Sequence, residues 1–328
     1  MNPLDDDIGY QETEEELARL ESELKRLYGT ASEEMQQKAR DYMETLVEAD
    51  EVMRKRVELG EISQEEYQRW SITHILTAEQ YHAMSDVLAA DLLNVNMIAA
   101  SVINGHMPEV YAINMNYMTY VIEKITCINT LFTLYNRESV ERIVRENPDL
   151  LPVANIDIAK DLRWSKQHIN SAVVQGILQG ESITDVAARL RMVSDMDMNA
   201  SIRNARTMTT SAQNGGRIDS MKRVQNMGAT VKKMWVATLD SRTRHWHRQM
   251  DGQKRELDEP FESDIGKIMF PGDPDADPAN VYNCRCAVIT EDPEFPHNPE
   301  DLGLRYSEKL GEMTYDEWKI ARAPKKGR

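Results

Sequence analysis

Two short motifs in the last third of the sequence carry side chains that bind metal ions. His245 and His247 are one residue apart, and so are Cys284 and Cys286. Imidazole nitrogens and thiolate sulfurs in a four-ligand set suit Zn2+. The spacing differs from that of a standard zinc finger, so the expected site is a structural zinc held in another arrangement.

The geometry of regular elements narrows the expected ligand set. On a strand over 281–290, Cys284 and Cys286 share one face and can reach the same ion. On a helix over 241–250, His245 and His247 point about 200° apart, so only one of them can ligate. We expect that one to be His247. Asp240, His245 or a water would be the fourth ligand, and the sequence does not choose among them.

A second interpretation needs no metal. His247 would hydrogen-bond to Asp240 or Asp251, while Cys284 and Cys286 pack as small apolar side chains. Both interpretations stay open at this point.

Charged residues surround these motifs. They predict an ion-paired and hydrogen-bonded network that fixes the geometry of a small domain, formed by Arg242, Arg244 and Arg285 with Asp240 and Asp251. Guanidinium groups also suit DNA phosphates, which leaves local DNA contact as an alternative. The acidic neighbours Asp258 and Glu259 count against it. The acidic loop 273–280 lacks the glycine and the final glutamate of a helix–loop–helix calcium site, so we expect it to be solvated.

Composition excludes several classes of protein. The net charge of −16 is wrong for a protein that coats nucleic acid. Three cysteines fit a reducing compartment. The acidic N-terminus is unlike a signal peptide, and no window reaches the roughly 18 apolar residues of a membrane span. We therefore expect a globular protein that does not enter a membrane.

The elements that position these motifs are mostly helical. Leu17, Leu20, Leu24 and Leu27 recur at helical spacing. Capping-box pairs, at Thr30 with Glu33 and at Ser63 with Glu66, predict successive helices over 31–59 and from 63 onward, separated at Gly60. Apolar helices follow to residue 134, with an interruption near Gly105 and Pro108. The many methionines are expected mainly to fill this helical core.

Further helices are predicted over 155–179, 182–192 and 198–227, the second starting at Ser182 and the third ending at Gly228. Strands are predicted over 229–238 and 281–290. The fold class is mainly α, with a multi-helix N-terminal and central region, a small α+β domain and an extended C-terminal arm.

We predict four consecutive segments. These are a helical partner-binding region over 1–150, a helical connector over 151–228, the α+β domain over 229–292, and an arm over 293–328. The arm carries a short helix that starts at a capping box of Thr314 and Glu317, then a basic tail over 321–328. We expect the arm to dock on a neighbour.

The motifs resemble the C-terminal signature of Mu-F-like phage minor head proteins, the head morphogenesis family. That signature runs Asp-x-Arg-Thr-Arg-x-x-His, Asp-Gly, a proline-rich loop and Asn-Cys-Arg-Cys. Its elements match, in order, Asp240, Arg242, Thr243, Arg244, His247, Asp251, Gly252, Pro271, Asn283, Cys284, Arg285 and Cys286. The helical lead-in is also similar, with Ala205, Arg206, Thr207, Ala212, Gly216 and Arg217 in matching places. The resemblance covers roughly 175–290.

The resemblance implies a virion component without enzymatic activity. Such a protein binds the portal inside the capsid after synthesis in the host cytoplasm, and assists DNA packaging or ejection. The major capsid or scaffold protein is a further expected partner. An acidic, helix-rich body suits assembly through protein surfaces.

Two other functions are weighed against this one. A metal-dependent nuclease of the His-metal type needs a general base and an open metal position, whereas two thiolates indicate a closed structural site. A carrier with an attached toxin would need an effector domain, and about 40 residues follow Cys286.

Overall fold

The computed structural model describes residues 2–76, 79–179 and 181–323, most of which are helical. The helices are α1 (Ile8–Glu58), α2 (Gln64–Leu76), α3 (Glu79–Thr126), α4 (Arg137–Glu146), α5 (Ile158–Leu178), α6 (Ile183–Gln225), α7 (His245–Met250), α8 (Pro278–Val281), α9 (Glu308–Glu312) and α10 (Tyr315–Arg322). The predicted fold class, mainly α with a small C-terminal α+β part, is confirmed.

Helix α1 runs without a break through the predicted boundary at Thr30, so the helix start predicted there is wrong. Its buried face continues across that point at steps of three and four residues, through Leu17, Leu20, Leu24, Tyr28, Ala31, Met35 and Ala39. A continuous apolar face stabilises one long helix more than a local cap stabilises a new start. The helix ends before Gly60, whose φ of 71° allows the stop, and Ser63 and Glu66 form the predicted capping box.

Helix α3 contains Pro108 in its interior, so the predicted interruption near Gly105 is wrong. Met107 and Val110, on either side of the proline, are buried, and packing offsets the lost backbone hydrogen bond. The segment Ala83–Thr126 is also long and apolar enough to cross a membrane, contrary to the expectation from the sequence. Core helices meet the same criterion, and this helix buries Asn114, Thr119 and Glu123 in hydrogen bonds with other parts of the chain.

Helix α6 joins the helices predicted over 182–192 and 198–227 into one. Asp185 N donates to Ser182 Oγ over 3.1 Å, so Ser182 caps the helix as predicted, while the Asp185 carboxylate accepts from the Ser182 hydroxyl. Gly228 follows the helix with a φ of 96°.

The strands are short: β1 (Ile128–Asn129), β2 (Thr230–Val236), β3 (Lys254–Glu256), β4 (Phe261–Ser263), β5 (Gly266–Ile268), β6 (Ala287–Glu294) and β7 (Arg305–Tyr306). Strand β2 lies between β3 and β6 in an antiparallel sheet, and β4 pairs with β5 and β1 with β7. The strand predicted over 229–238 is confirmed. The strand predicted over 281–290 begins only at Ala287, because helix α8 and a loop occupy 278–286.

The chain forms two compact units, each discontinuous in sequence. Unit 1 comprises Met1–Leu20, Ile103–Ala154 and Arg203–Arg328, and unit 2 comprises Glu21–Val102 and Asn155–Ile202. Helices α1, α3 and α6 each contribute residues to both. The sequence predicts consecutive segments instead, because a helix longer than 40 residues gives no local signal where it passes from one core to another.

A buried ion pair lies at the centre of unit 1. Arg217 on α6 is fully buried and donates two hydrogen bonds of 2.7 Å to the carboxylate of Asp7. Its remaining donors reach Asn114 Oδ1 at 2.8 Å and the Val288 carbonyl at 3.1 Å. The guanidinium therefore connects the N-terminal segment, α3, α6 and strand β6 in one polar network.

The segment after residue 292 packs on helix α3 of its own chain. Glu123 is fully buried and accepts hydrogen bonds from Trp318 Nε1 at 2.7 Å and from Arg322 at 2.6 Å. Tyr315 and Trp318 are buried beside it. Thr314 and Glu317 form the predicted capping box at the start of α10. The predicted basic tail lies mostly outside the described residues.

Unit 2 encloses a polar cluster around Asn96. The Tyr28 hydroxyl donates to Asn96 Oδ1 over 2.6 Å, and Asn96 Nδ2 lies 3.1 Å from Asp161 Oδ1 and 3.0 Å from Asp197 Oδ2. Burial raises the pKa of Asp197 to about 6, and the nearby Asp161 carboxylate adds to this rise. The charged form of Asp197 is therefore costly at neutral pH.

Replacing Asp197 by asparagine should stabilise the protein at about pH 7.5 by roughly 1 to 3 kcal/mol. The folded pKa of about 6 exceeds the ordinary value of 3.8, so the folded state binds the proton more tightly. The protonated Asp197 carboxyl contributes its full stabilisation of the folded state below a pH of 3.8. That stabilisation is lost as the pH rises through the folded pKa of about 6. The advantage of asparagine should therefore shrink at about pH 4.5, as urea unfolding at both pH values would measure.

Asp195→Asn is the matched control, because Asp195 lies on the same helix with its side chain 47% exposed. It should change stability little and equally at both pH values. An advantage of Asp197→Asn that did not depend on pH would contradict the expected titration.

Candidate metal centre

The sheet of unit 1 positions the residues of the signature. Strands β2 and β6 are antiparallel, with Trp235 opposite Val288 and Val236 opposite Ala287. The chain turns after β2 and enters helix α7, which carries His247. The fully buried indole of Trp235 meets the His247 ring edge to face, with ring centroids 5.4 Å apart. The imidazole is thereby fixed over the end of the sheet.

His247, Cys284 and Cys286 form one buried group, the Cys2His cluster. His247 Nδ1 lies 3.5 Å from each Sγ, and the three ligand atoms lie within 4.8 Å of one another. The two cysteines lie in the loop before β6. The prediction that they share one face of a strand is therefore wrong. Asn283, with a φ of 54°, turns the loop so that both thiols face the imidazole.

Three polar residues on one face of α6 hold this loop. Asn283 N donates to Thr207 Oγ1 over 2.9 Å, and Thr210 Oγ1 donates to the Cys284 carbonyl over 2.6 Å. Asn214 receives a hydrogen bond of 2.8 Å from Val288 N and donates to the Cys286 carbonyl. Neither Thr210 nor Asn214 is among the site residues predicted from the sequence. Their signal was the spacing of 207, 210 and 214, which places polar groups along one helical face.

The arginine and aspartate residues of the predicted network make separate contacts. The Arg285 guanidinium binds both oxygens of Asp240, with one contact of 2.6 Å, and holds the pKa of that carboxyl well below its usual range. Arg242 N and Thr243 Oγ1 also donate to Asp240. Arg244 donates to the Tyr282 carbonyl. This group ties the turn after β2 to the cysteine loop.

Asp251 and Gly252 do not contact the cysteine loop in the described contacts; they hydrogen-bond to strand β2 and the residue after it. Asp251 Oδ1 accepts a hydrogen bond of 2.8 Å from Ala237 N, and Gly252 N donates to the Trp235 carbonyl over 2.9 Å. Both bonds join the end of helix α7 to strand β2 and the residue that follows it.

The structure separates the expected ligands into two sets. His247, Cys284 and Cys286 are brought together, whereas Asp240 is bound by Arg285. His245 is directed outward with its side chain 76% exposed, 4.0 Å from Asp264. His247 bonds to neither Asp240 nor Asp251 in the described contacts, and its buried Nε2 has no hydrogen-bond partner there.

The two thiols titrate as a pair. The hydrogen bond from Cys286, aided by one with His247, holds the pKa of Cys284 well below its usual value. The same bond to Cys284, together with burial, raises the pKa of Cys286. Cys284 is therefore the more acidic of the two thiols.

The acidic loop over 273–280 caps local structure. Asp273 accepts hydrogen bonds from Met269 N at 2.9 Å and from Asp275 N at 3.0 Å, and Asp277 caps α8. Asp273 is buried, unlike the solvated residue that the sequence predicts.

Comparison with known proteins identifies a family model and several relatives that are similar to this chain. Residues 167–289 match the family described as phage Mu protein F like protein. The chain is 32% identical over 180 residues to the minor head protein GP7 of Bacillus phage SPP1, covering 53% of this chain and 56% of that protein. No solved structure gives a significant match.

Two other relatives are more distant. An NAD(+)–arginine ADP-ribosyltransferase EFV of Enterococcus faecalis is 26% identical over 208 residues, covering 61% of this chain and 40% of that protein. An uncharacterized protein of Haemophilus influenzae is 26% identical over 148 residues, covering 44% and 30%. The chain thus spans about half or less of the length of these curated relatives. Residues 167–289 thus match the phage Mu protein F like family, and the resemblance to the Mu-F-like minor head proteins is confirmed.

Proposed function

We propose that this protein acts in head morphogenesis at the portal vertex, inside the capsid, by binding the portal protein. The observation that carries the proposal is the 32% identity with a minor head protein over 180 residues. The net charge of −16 supports an assembly role over a general DNA-coating role. Contact with the major capsid or scaffold protein, and assistance in DNA packaging or ejection, follow from the same position.

Unit 2 is the proposed source of the portal-binding surface. Most methionines with described side chains are buried or half-buried, but Met192 and Met196 are exposed one helical turn apart on α6. Met97 and Ile98 on α3 are also exposed. Flexible apolar side chains of this kind adapt to a partner surface.

The test is co-purification of the full-length chain with the portal protein of its own phage. Wild-type protein should form a complex that survives gel filtration, and Met192→Ser with Met196→Ser should weaken it by roughly tenfold or more. Ile320→Ser is the matched control, since Ile320 is 78% exposed but lies in unit 1. Absence of a wild-type complex would contradict portal binding. Equal losses in both variants would contradict the placement on unit 2.

The proposed role is not enzymatic. The Cys2His cluster is buried, and the carboxylate of Asp240 is held by Arg285. Local contact of Arg242 and Arg244 with DNA remains part of the proposal without any cleavage. Purified protein should neither nick DNA with added divalent metal nor transfer ADP-ribose from NAD+ to arginine. Either activity, abolished by a site variant, would support an enzyme instead.

A further inference from the structure

The spacing of the donor atoms in the Cys2His cluster is that of ligands on a single ion. Zinc lies about 2.3 Å from thiolate sulfur and about 2.0 to 2.1 Å from imidazole nitrogen, so tetrahedral ligands place nitrogen and sulfur roughly 3.5 to 3.6 Å apart. His247 Nδ1 lies 3.5 Å from both Sγ atoms. We propose that His247 Nδ1, Cys284 Sγ and Cys286 Sγ bind one Zn2+ ion that closes the cysteine loop onto helix α7.

Hydrogen bonding alone accounts for these distances less well. Nδ1 carries either one proton or one lone pair, so it can form one good bond in the ring plane. Two thiols at the same distance therefore cannot both bond well to Nδ1, in a group that is almost completely buried. An ion shared by all three atoms satisfies each of them.

The surroundings favour thiolate ligands. Cys286 N donates to Cys284 Sγ over 3.4 Å, which stabilises negative charge on that sulfur. The loop carbonyls of Cys284 and Cys286 are held by Thr210 and Asn214, so the thiols are positioned before an ion enters. Two sulfurs and one imidazole nitrogen select zinc over magnesium or calcium, which prefer oxygen.

The fourth position is assigned to a water molecule. Over residues 2–76, 79–179 and 181–323, no other His, Cys, Asp or Glu joins the three donors. A small cavity beside them is lined by Thr238, Thr243, Arg244 and Asn283, among others, and has a volume of about 10 Å3. That space fits one water and no larger ligand. One coordination position is thus left to solvent, unlike the closed site expected from the sequence, while the ion still joins the cysteine loop to helix α7.

The first measurement is the metal content of full-length protein purified without chelator. About one zinc per chain is expected. Cys284→Ser, Cys286→Ser and His247→Gln should each reduce it strongly. The matched controls are Cys127→Ser and His245→Gln, which remove the same chemical groups outside the cluster and should keep full zinc. Folded wild-type protein with less than about a tenth of a zinc per chain would overturn the proposal.

Cobalt and thiol reagents provide readouts that do not depend on variants. Cobalt in place of zinc should give the intense visible bands of a tetrahedral thiolate site. With zinc bound, Cys127 should react with a thiol reagent well before the other two cysteines, and a strong chelator should release those two together. No cobalt–thiolate band, or thiol reactivity that a chelator leaves unchanged, would also overturn the site.

Discussion

Replacing Asp7 by alanine should destabilise unit 1 by about 3 to 5 kcal/mol, because it leaves the fully buried Arg217 without its counter-charge. The two hydrogen bonds of 2.7 Å would be lost, and the guanidinium is fully buried, so its charge would stay desolvated. Urea unfolding of the full chain, followed by tryptophan fluorescence, would measure the loss.

Asp6→Ala is the matched control, since Asp6 is exposed and adjacent. It should change stability by less than about 0.5 kcal/mol. The double variant Asp7→Ala with Arg217→Met should be less destabilised than the sum of the two single variants, because the buried charge is removed together with its partner. A small loss in Asp7→Ala alone would show that the pair contributes little.

Gly216→Ala should cost about 3 kcal/mol, because the new methyl group would meet backbone that cannot move aside. A Cβ at this position would lie 2.6 Å from the Tyr111 carbonyl oxygen and 3.2 Å from Met115 N, both on α3. Separation of α3 from α6 would also disturb the hydrogen bond of 2.8 Å between Thr119 and Ser220. Thermal and urea unfolding would both report the loss.

At Gly215, next to Gly216, we expect alanine to stabilise the protein. Gly215 has nothing within 4 Å of its ideal Cβ, and it lies in the same helix. Gly215→Ala should therefore stabilise the chain by about 0.5 to 1 kcal/mol through helix propensity alone. Equal effects of the two alanines would contradict the close approach of the helices at Gly216.

Local hydrogen-bonding signals were predictable from the sequence. The capping boxes at Ser63 and Thr314 form as expected, Ser182 caps α6, and the stops lie at Gly60 and Gly228. Each depends on residues at most four positions apart, so no knowledge of the tertiary structure is needed.

The wrong boundaries arose where long-range packing outweighs a local signal. Thr30 carries a capping pattern, yet the apolar face of α1 passes through it. Pro108 should break a helix, yet α3 continues because both flanks are buried. Neither outcome is visible in a window of ten residues.

The proposed metal ligands were predictable from the sequence, but the residues that hold the cysteine loop in place were not. His247, Cys284 and Cys286 follow from residue type and motif, and the structure brings them together. Thr210 and Asn214 act on a loop more than 70 residues away in sequence. Their spacing with Thr207 indicates a polar face on α6, but it does not identify the distant loop that this face binds.

The buried carboxylate of Glu123 depends on partners that are synthesised much later than helix α3. Its ion-pair partner Arg322 leaves the ribosome 199 residues later, so the buried acid on α3 lacks that counter-charge until then. Unit 1 cannot complete its core on a nascent chain, whereas every residue of unit 2 has emerged by Ile202. Prematurely terminated chains would thus display an unfinished unit 1 to cellular proteases, and only chains that reach Arg322 would acquire a finished one.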